Sequence, residues 1–266
     1  LVKEDINKQK LFLIEDKLIL AISGGADSVC LMHVLLDLGF WFELAHCNFK
    51  LRAKESEADE VFVKELAKKY SLKLHCKSFP TKEYANQNKI SIQMAARDLR
   101  YSWFNELLKS ENAKYIAVAH HQDDAIETFF INLIRGTGIS GLLGISEKKS
   151  NIIRPLLNMN RSDIEEYLVA KKQIFREDSS NMSVKYLRNK IRLQLIPLLK
   201  EMNPKIKETI KDEINILKDT STVFSHQINS VRKEVIKKNN ELVSLNIQKL
   251  KTLSPLRIYL YELLKP

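Results

Sequence analysis

The sequence predicts an α/β fold: a doubly wound parallel sheet with flanking helices, followed by a long linker helix and a truncated helical C-terminal domain. Two observations carry this. Four β-like runs in the first half alternate with segments of helical apolar spacing, and β signals fade after about Asn151. Strand–helix alternation of this kind implies right-handed crossovers, with the ligand site at the carboxyl ends of the strands.

The first run, Leu18–Ile22, is apolar throughout, as befits a strand covered on both faces. It ends in Ser23-Gly24-Gly25-Ala26-Asp27-Ser28, and Val29–Leu36 then reads as a helix. The second run is Trp41–His46, followed by helical spacing at Ala58, Val61, Phe62, Glu65 and Leu66. The third is Leu72–Phe79, followed by Ile92, Ala95, Ala96, Leu99, Trp103 and Leu107. The fourth, Tyr115–Ala119, runs into His120-His121-Gln122-Asp123. Helices are then expected over Arg161–Lys171, Val184–Lys200 and from about Pro204 to Asn239, the last with a thin apolar stripe of Ile206, Ile210, Ile214 and Leu217. These readings divide the chain into a catalytic domain (1–202), a linker helix (203–241) and the start of a smaller domain (242–266), expected to be cut off because the chain ends inside an apolar pattern.

The 266 residues are 44% hydrophobic and 29% charged, which reads as globular, and no apolar run has the length of a membrane span. No signal peptide is visible, so a cytoplasmic location is expected. The net charge of +10 is compatible with a nucleic-acid partner, although scattered lysines give the same total without one. Cys30, Cys47 and Cys76 are widely spaced and form no CxxC pair, which argues against a disulfide framework or a metal–thiolate site.

A glycine pair between a strand and a helix N-terminus is a phosphate cradle: unpaired N–H groups and the helix dipole favour an anion there. Ser23 and Ser28 add hydroxyls, and Asp27 could hold magnesium against phosphates. The chain contains neither a GxxxxGK(S/T) string nor a GxGxxG fingerprint. In His120-His121-Gln122-Asp123-Asp124-Ala125-Ile126-Glu127-Thr128, the carboxylates of Asp123, Asp124 and Glu127 converge near a first helical turn. Such a cluster can bind magnesium, receive an ammonium group, act as a base or simply cap the helix. Glycine is scarce, yet Gly136–Gly144 holds four in nine positions, Gly136, Gly138, Gly141 and Gly144, which implies positive φ or close backbone approach.

Ser23–Ser28 resembles the SGGxDS motif of the PP-loop ATP pyrophosphatases, and His120–Thr128 resembles the HHxDDxxET motif of the tRNA(Ile)-lysidine synthetases within that superfamily. Further strings agree in order: Ile92–Tyr101 with a QxAARxxRY helix, Arg135–Leu142 with RGTGxxGL, Arg154–Leu157 with RPLL, Glu177–Asn181 with EDxSN, and Arg188–Leu199 with RNxIRxxxxPxL. His46–Arg52 resembles HxNHxLR, but Phe49 stands where a second histidine is usual, which removes any imidazole role there.

The resemblance implies ATP-dependent joining of free L-lysine to C2 of the cytidine at the first anticodon position of a minor isoleucine tRNA with a CAU anticodon. The reaction passes through an adenylated cytidine with release of pyrophosphate and then AMP, and it switches codon reading from AUG to AUA. It further implies ATP contacts at Ala21, Ile22, Ser23, Gly24, Gly25, Ala26, Asp27, Ser28 and His46, and magnesium at Asp27 and Asp123. Arg97 would meet the α-phosphate or the cytosine. Asp123, Asp124 and Glu127 would receive the lysine ammonium and help to remove its proton. Arg188 and Arg192 would take the lysine carboxylate or an RNA phosphate, and Gly136, Thr137 and Gly138 would lie near the substrate. No membrane partner is expected, and a homodimer stays open. The alternatives are a PP-loop tRNA 2-thiolation enzyme, which generally relies on paired cysteines, and a noncatalytic RNA-binding module on the same fold.

Overall fold

Leu18, Ile19 and Leu20 have no exposed surface at all, and they form the middle of a six-stranded sheet in the computed structural model. The structure describes residues 1–52, 54–176, 187–239 and 242–264. In chain order the elements begin α1 (Val2–Lys8), β1 (Leu18–Ala21), α2 (Ala26–Asp37), β2 (Phe42–Asn48), α3 (Lys54–Lys69), β3 (Leu74–Ser78), α4 (Thr81–Asn88) and α5 (Ile92–Ser110). They continue with β4 (Tyr115–Ala117), α6 (Gln122–Ile134), α7 (Ile139–Leu142), β5 (Lys148–Lys149), β6 (Ile152–Ile153), α8 (Arg161–Ala170) and α9 (Leu187–Lys190), a π-turn over Ile191–Leu195, and α10 (Ile196–Met202).

The sheet order is β3-β2-β1-β4-β6-β5, parallel except for the antiparallel edge strand β5. Chain direction across the sheet reverses between β1 and β4, the switch point at which ligands of such sheets bind. Alternation along β1 divides the core. Leu18 and Leu20 pack with Val29, Leu31, Leu35, Val63, Leu66, Ile164 and Leu168 on one face. Ile19 packs with Ala45, Trp103, Phe104, Leu107 and Ile116 on the other. α5 is capped by Ser91, whose hydroxyl accepts the Met94 N–H.

Residues 1–131 and 144–204 form one compact unit, and 132–143 with 205–266 form a second. The second unit contains α7, α11 (Ile206–Val235), strands β7 (Ile236–Asn239) and β8 (Leu242–Leu245), α12 (Ile247–Lys251) and α13 (Leu256–Leu264). Val231, Val235, Leu250 and Leu263 form its core, and Arg232 donates to the carbonyls of Glu262 and Leu263 at the end of α13.

Three expectations need correction. Strands β5 and β6, two residues each, extend the sheet where the β signal was read as fading; runs that short carry no periodicity. The linker helix expected over 203–241 spans Ile206–Val235, and the residues after it form β7 of an antiparallel hairpin with β8 within an otherwise helical C-terminal region. The helix expected over Val184–Lys200 is described from Leu187 and carries a π-turn before continuing to Met202.

Candidate active site

The turn after β1 holds itself together with its own serines. Ser28 Oγ donates to the Gly25 carbonyl at 2.9 Å and lies 3.2 Å from Ser23 Oγ, while the Ser23 N–H donates to Ser28 Oγ at 3.2 Å. The hydroxyls expected to reach for a ligand thus also shape the loop. Gly24 sits at φ +92°, and a Cβ there would press on Phe62 at 3.2 Å, so glycine is required. His46 donates through Nδ1 to the Ile22 carbonyl at 2.9 Å and ties β2 to the start of the loop.

Across the switch point, His121 immediately precedes α6. Its Nδ1 accepts the Asp123 N–H at 3.3 Å. Its Nε2 faces Asp27 at 3.8 Å and Asp124 at 3.6 Å. Asp124 also accepts the His121 N–H at 3.1 Å, so it caps α6 while belonging to the charged cluster. Burial pushes the Asp124 carboxyl up, but His121, His120 and Arg188 outweigh it and leave the group below the ordinary carboxylate range. Burial raises the Asp27 carboxyl despite His121 and Arg161. Arg161, at the first position of α8, donates to Asp27 at 2.6 Å. His120 accepts from Arg154 Nε at 3.2 Å, and burial pushes its imidazole down to about 4 against the pull of Asp124.

Glu127 has no exposed surface, and Arg192 grips it with Nε at 2.6 Å and Nη2 at 3.1 Å. Arg188 Nε lies 3.6 Å from Glu127, its Nη1 3.7 Å from Asp124, and its Nη2 donates to Thr128 at 3.1 Å. Burial raises the Glu127 carboxyl, and Arg192 opposes the rise. Glu127, Arg188 and Arg192, expected as separate substrate contacts, are therefore partners of one another. Arg97 is exposed with its guanidinium on the Tyr101 ring. It is Arg100, one turn on, that lines the cleft, and its buried Nε has no hydrogen-bond partner among the described residues.

These groups surround a cleft of about 750 Å³ lined by Ser23, Asp27, His46, Arg100, Asp124 and Arg188 among others, large enough for a nucleotide. Phe49 also lines it and stacks on Phe79 with centroids 5.7 Å apart. Gly136, Thr137 and Gly138 belong to the second unit, where Thr137 Oγ1 donates to the Asn132 carbonyl and Gly136 takes φ +69°. A Cβ on Gly141 would run into the Thr137 side chain, which is the close approach that glycine permits. The Glu177–Asn181 string lies outside the described residues.

Magnesium usually takes one or two carboxylates together with phosphate oxygens. Asp27, a carboxylate on a phosphate-type loop, fits that donor set. Among the described residues the His, Cys, Asp and Glu atoms within ligand spacing are instead Glu43, His75 and Glu111, where Lys17 and Lys73 already supply the positive charge. Cys30 is in the core, and Cys47 and Cys76 sit on neighbouring strands. Burial pushes the Cys30 and Cys47 thiols up to about 12, which suits packing and not thiolate chemistry. No helix among the described residues is long and apolar enough to cross a membrane.

The signature of a PP-loop domain matches residues 2–199. The tRNA(Ile)-lysidine synthase of Bacteroides thetaiotaomicron is 50% identical over 231 residues, covering 87% of this chain and 54% of that protein. That of Porphyromonas gingivalis is 42% identical over 267 residues, covering 100% of this chain and 58% of that protein. The chain thus spans a little over half the length of these curated relatives. Among solved structures, the U34-tRNA thiolase NcsA from Methanococcus maripaludis, with its 4Fe-4S cluster, superposes with a TM-score of 0.65 at 16% identity, covering 82% of this chain and 78% of that one. At that identity the likeness is one of fold.

Proposed function

We propose, since the chain belongs to the PP-loop family, that it adenylates a cytidine of an isoleucine tRNA with a CAU anticodon and replaces its C2 oxygen with the amine of free L-lysine. The observation that carries this reading is the meeting of two turns at the switch point of the sheet, where Asp27 of the glycine loop faces His121 and, beyond it, Asp124. Identity of 42–50% to curated tRNA(Ile)-lysidine synthases supports the choice of reaction.

The chemistry has two steps. The cytidine O2 attacks the α-phosphorus of ATP, and the bond to the β-phosphate breaks to release pyrophosphate. The lysine amine then attacks C2, the C2–O2 bond breaks, and AMP leaves with the former carbonyl oxygen; the nitrogen gives up its protons to a nearby base and to water.

Loop N–H groups around Gly24 and Gly25 and the N-terminus of α2 would receive the phosphates, where charge accumulates in the first step. Magnesium, held by Asp27 together with phosphate oxygens, would supply screening of that charge. Arg100, with an unused buried N–H, suits the α-phosphate or the base better than Arg97. Asp123 and Asp124 would receive the ammonium group and accept its proton, since only the neutral amine is a nucleophile. Glu127 acts one layer behind, fixing Arg192 and Arg188 for a carboxylate or a phosphate.

The placement of the cysteines favours this reading over sulfur transfer. The test is incubation of the full chain with ATP, magnesium, L-lysine and a transcribed isoleucine tRNA with a CAU anticodon, followed by mass spectrometry of the nucleosides. A lysine adduct of cytidine is expected. Base modification without any need for lysine would point to the thiolation class, and no pyrophosphate at all would leave a binding module.

A further inference from the structure

β6 is only two residues long, yet it brings Arg154 to the end of β4. Ile116 and Ala117 pair with Ile152 and Ile153, and the Val118 N–H donates to the Ile153 carbonyl at 3.0 Å. Arg154 and His120 therefore leave the carboxyl ends of neighbouring strands. Arg154 is buried; its Nη1 donates to the Ser146 carbonyl at 2.7 Å and its own N–H to the Glu147 carbonyl at 2.9 Å, which anchors it through side chain and backbone. Its Nε donates to His120 Nδ1 at 3.2 Å. A guanidinium has donors and no acceptor, so Nδ1 of the histidine must accept. Burial, with Arg154, Arg100 and Arg188 nearby, outweighs Asp124 and keeps the ring neutral, and its one N–H proton therefore lies on Nε2. His120 lines the cleft and Arg154 does not, so the ring edge away from Nδ1 is the one turned to it. Among the described residues Nε2 has no hydrogen-bond partner.

We propose that Arg154 is a positioning residue that presents His120 to the cleft as a fixed Nε2–H donor for an oxygen of the α-phosphate, and that this histidine is not a base for the lysine amine. The proposal rests on the reading of the cleft as an ATP site. With Nδ1 held by a guanidinium and Nε2 protonated, the ring has no free lone pair to take a proton. A donor on the cytidine O2 would draw electron density from the atom that must attack in the first step. On an α-phosphate oxygen it would stabilise charge that grows there.

The test is nitrogen-15 NMR of the histidine-labelled full chain near neutral pH, the His120 signals being those absent from His120→Gln. Wild type should show Nδ1 bare and Nε2 protonated, and AMP should move the Nε2 signal while pyrophosphate leaves it. Arg154→Met should shift the Nδ1 signal and bring in an Nδ1–H form. A proton on Nδ1 in wild type, or an unchanged His120 spectrum in Arg154→Met, overturns the positioning role. A response of Nε2 to the tRNA transcript and not to AMP overturns the phosphate assignment. Because Arg154→Met can lose pyrophosphate release merely by loosening the fold, two His120 variants separate donor from base. Glutamine sets an amide N–H near the place of Nε2 and asparagine near that of Nδ1. His120→Gln should keep release within about tenfold of wild type and His120→Asn should lose on the order of 100-fold, the size of a lost oxyanion donor. Equal losses overturn the donor role. These outcomes leave the ATP reading standing; a wild-type chain that binds neither ATP nor AMP overturns both.

Discussion

Both oxygens of the Glu127 carboxylate accept hydrogen bonds from the one guanidinium of Arg192, at 2.6 and 3.1 Å, in a place where the carboxylate has no contact with solvent. Removing one partner of such a pair strands the other. Arg192→Met should therefore destabilise the fold by about 3–5 kcal/mol, and Glu127→Gln by less, because its shape is kept and Arg192 is partly exposed. Urea unfolding of both variants and of the double variant checks this. A double variant more stable than Arg192→Met alone is expected.

Asp27 should separate chemistry from binding. Asp27→Asn keeps the size of the side chain but loses the charge that faces Arg161 and His121. Pyrophosphate release should fall on the order of 100-fold or more, since contacts to a developing charge act in the transition state. Affinity for tRNA, measured by filter binding at fixed salt, should stay within about twofold.

Gly24→Ala should cost about 2 kcal/mol. The strained φ of +92° contributes about 1–3 kcal/mol for a residue with a Cβ, and the contact with Phe62 adds to it. Thermal melts give the stability loss, and pyrophosphate affinity should fall with it because the loop must shift.

His120 makes stability depend on mildly acidic pH. Burial holds its imidazole at about 4 in the folded chain, below the value of about 6.5 expected when unfolded. The unfolded chain therefore binds the proton first as pH falls. This contribution is fully present above about pH 6.5 and is lost progressively toward pH 4, amounting to up to about 3 kcal/mol. His120→Gln should flatten the urea-measured stability profile between pH 6.5 and 4 relative to wild type.

The first four strands were legible because an apolar run bounded by turn residues is a local signal, and Ser23–Ser28 and His120–Thr128 were legible as strings. What local reading could not supply was pairing. Glu127 and Arg192 were both singled out, yet nothing in their spacing says that one neutralises the other. The choice of Arg97 over Arg100 failed to resolve which of two arginines on one helix turns inward, since both lie on nearly the same face. Arg161 was missed because its partner Asp27 lies 134 residues away in sequence.

The second unit is discontinuous: residues 132–143 belong with 205–266. During synthesis from the N-terminus, the short glycine-rich segment therefore emerges well before α11, the helix against which its own unit is built. The sheet and its cleft draw only on residues up to 204, so the nucleotide end can be finished while the chain is still being made. The glycine segment must wait, its polar backbone closed on itself through Asn132, Thr137 and Gly141, until the later residues arrive.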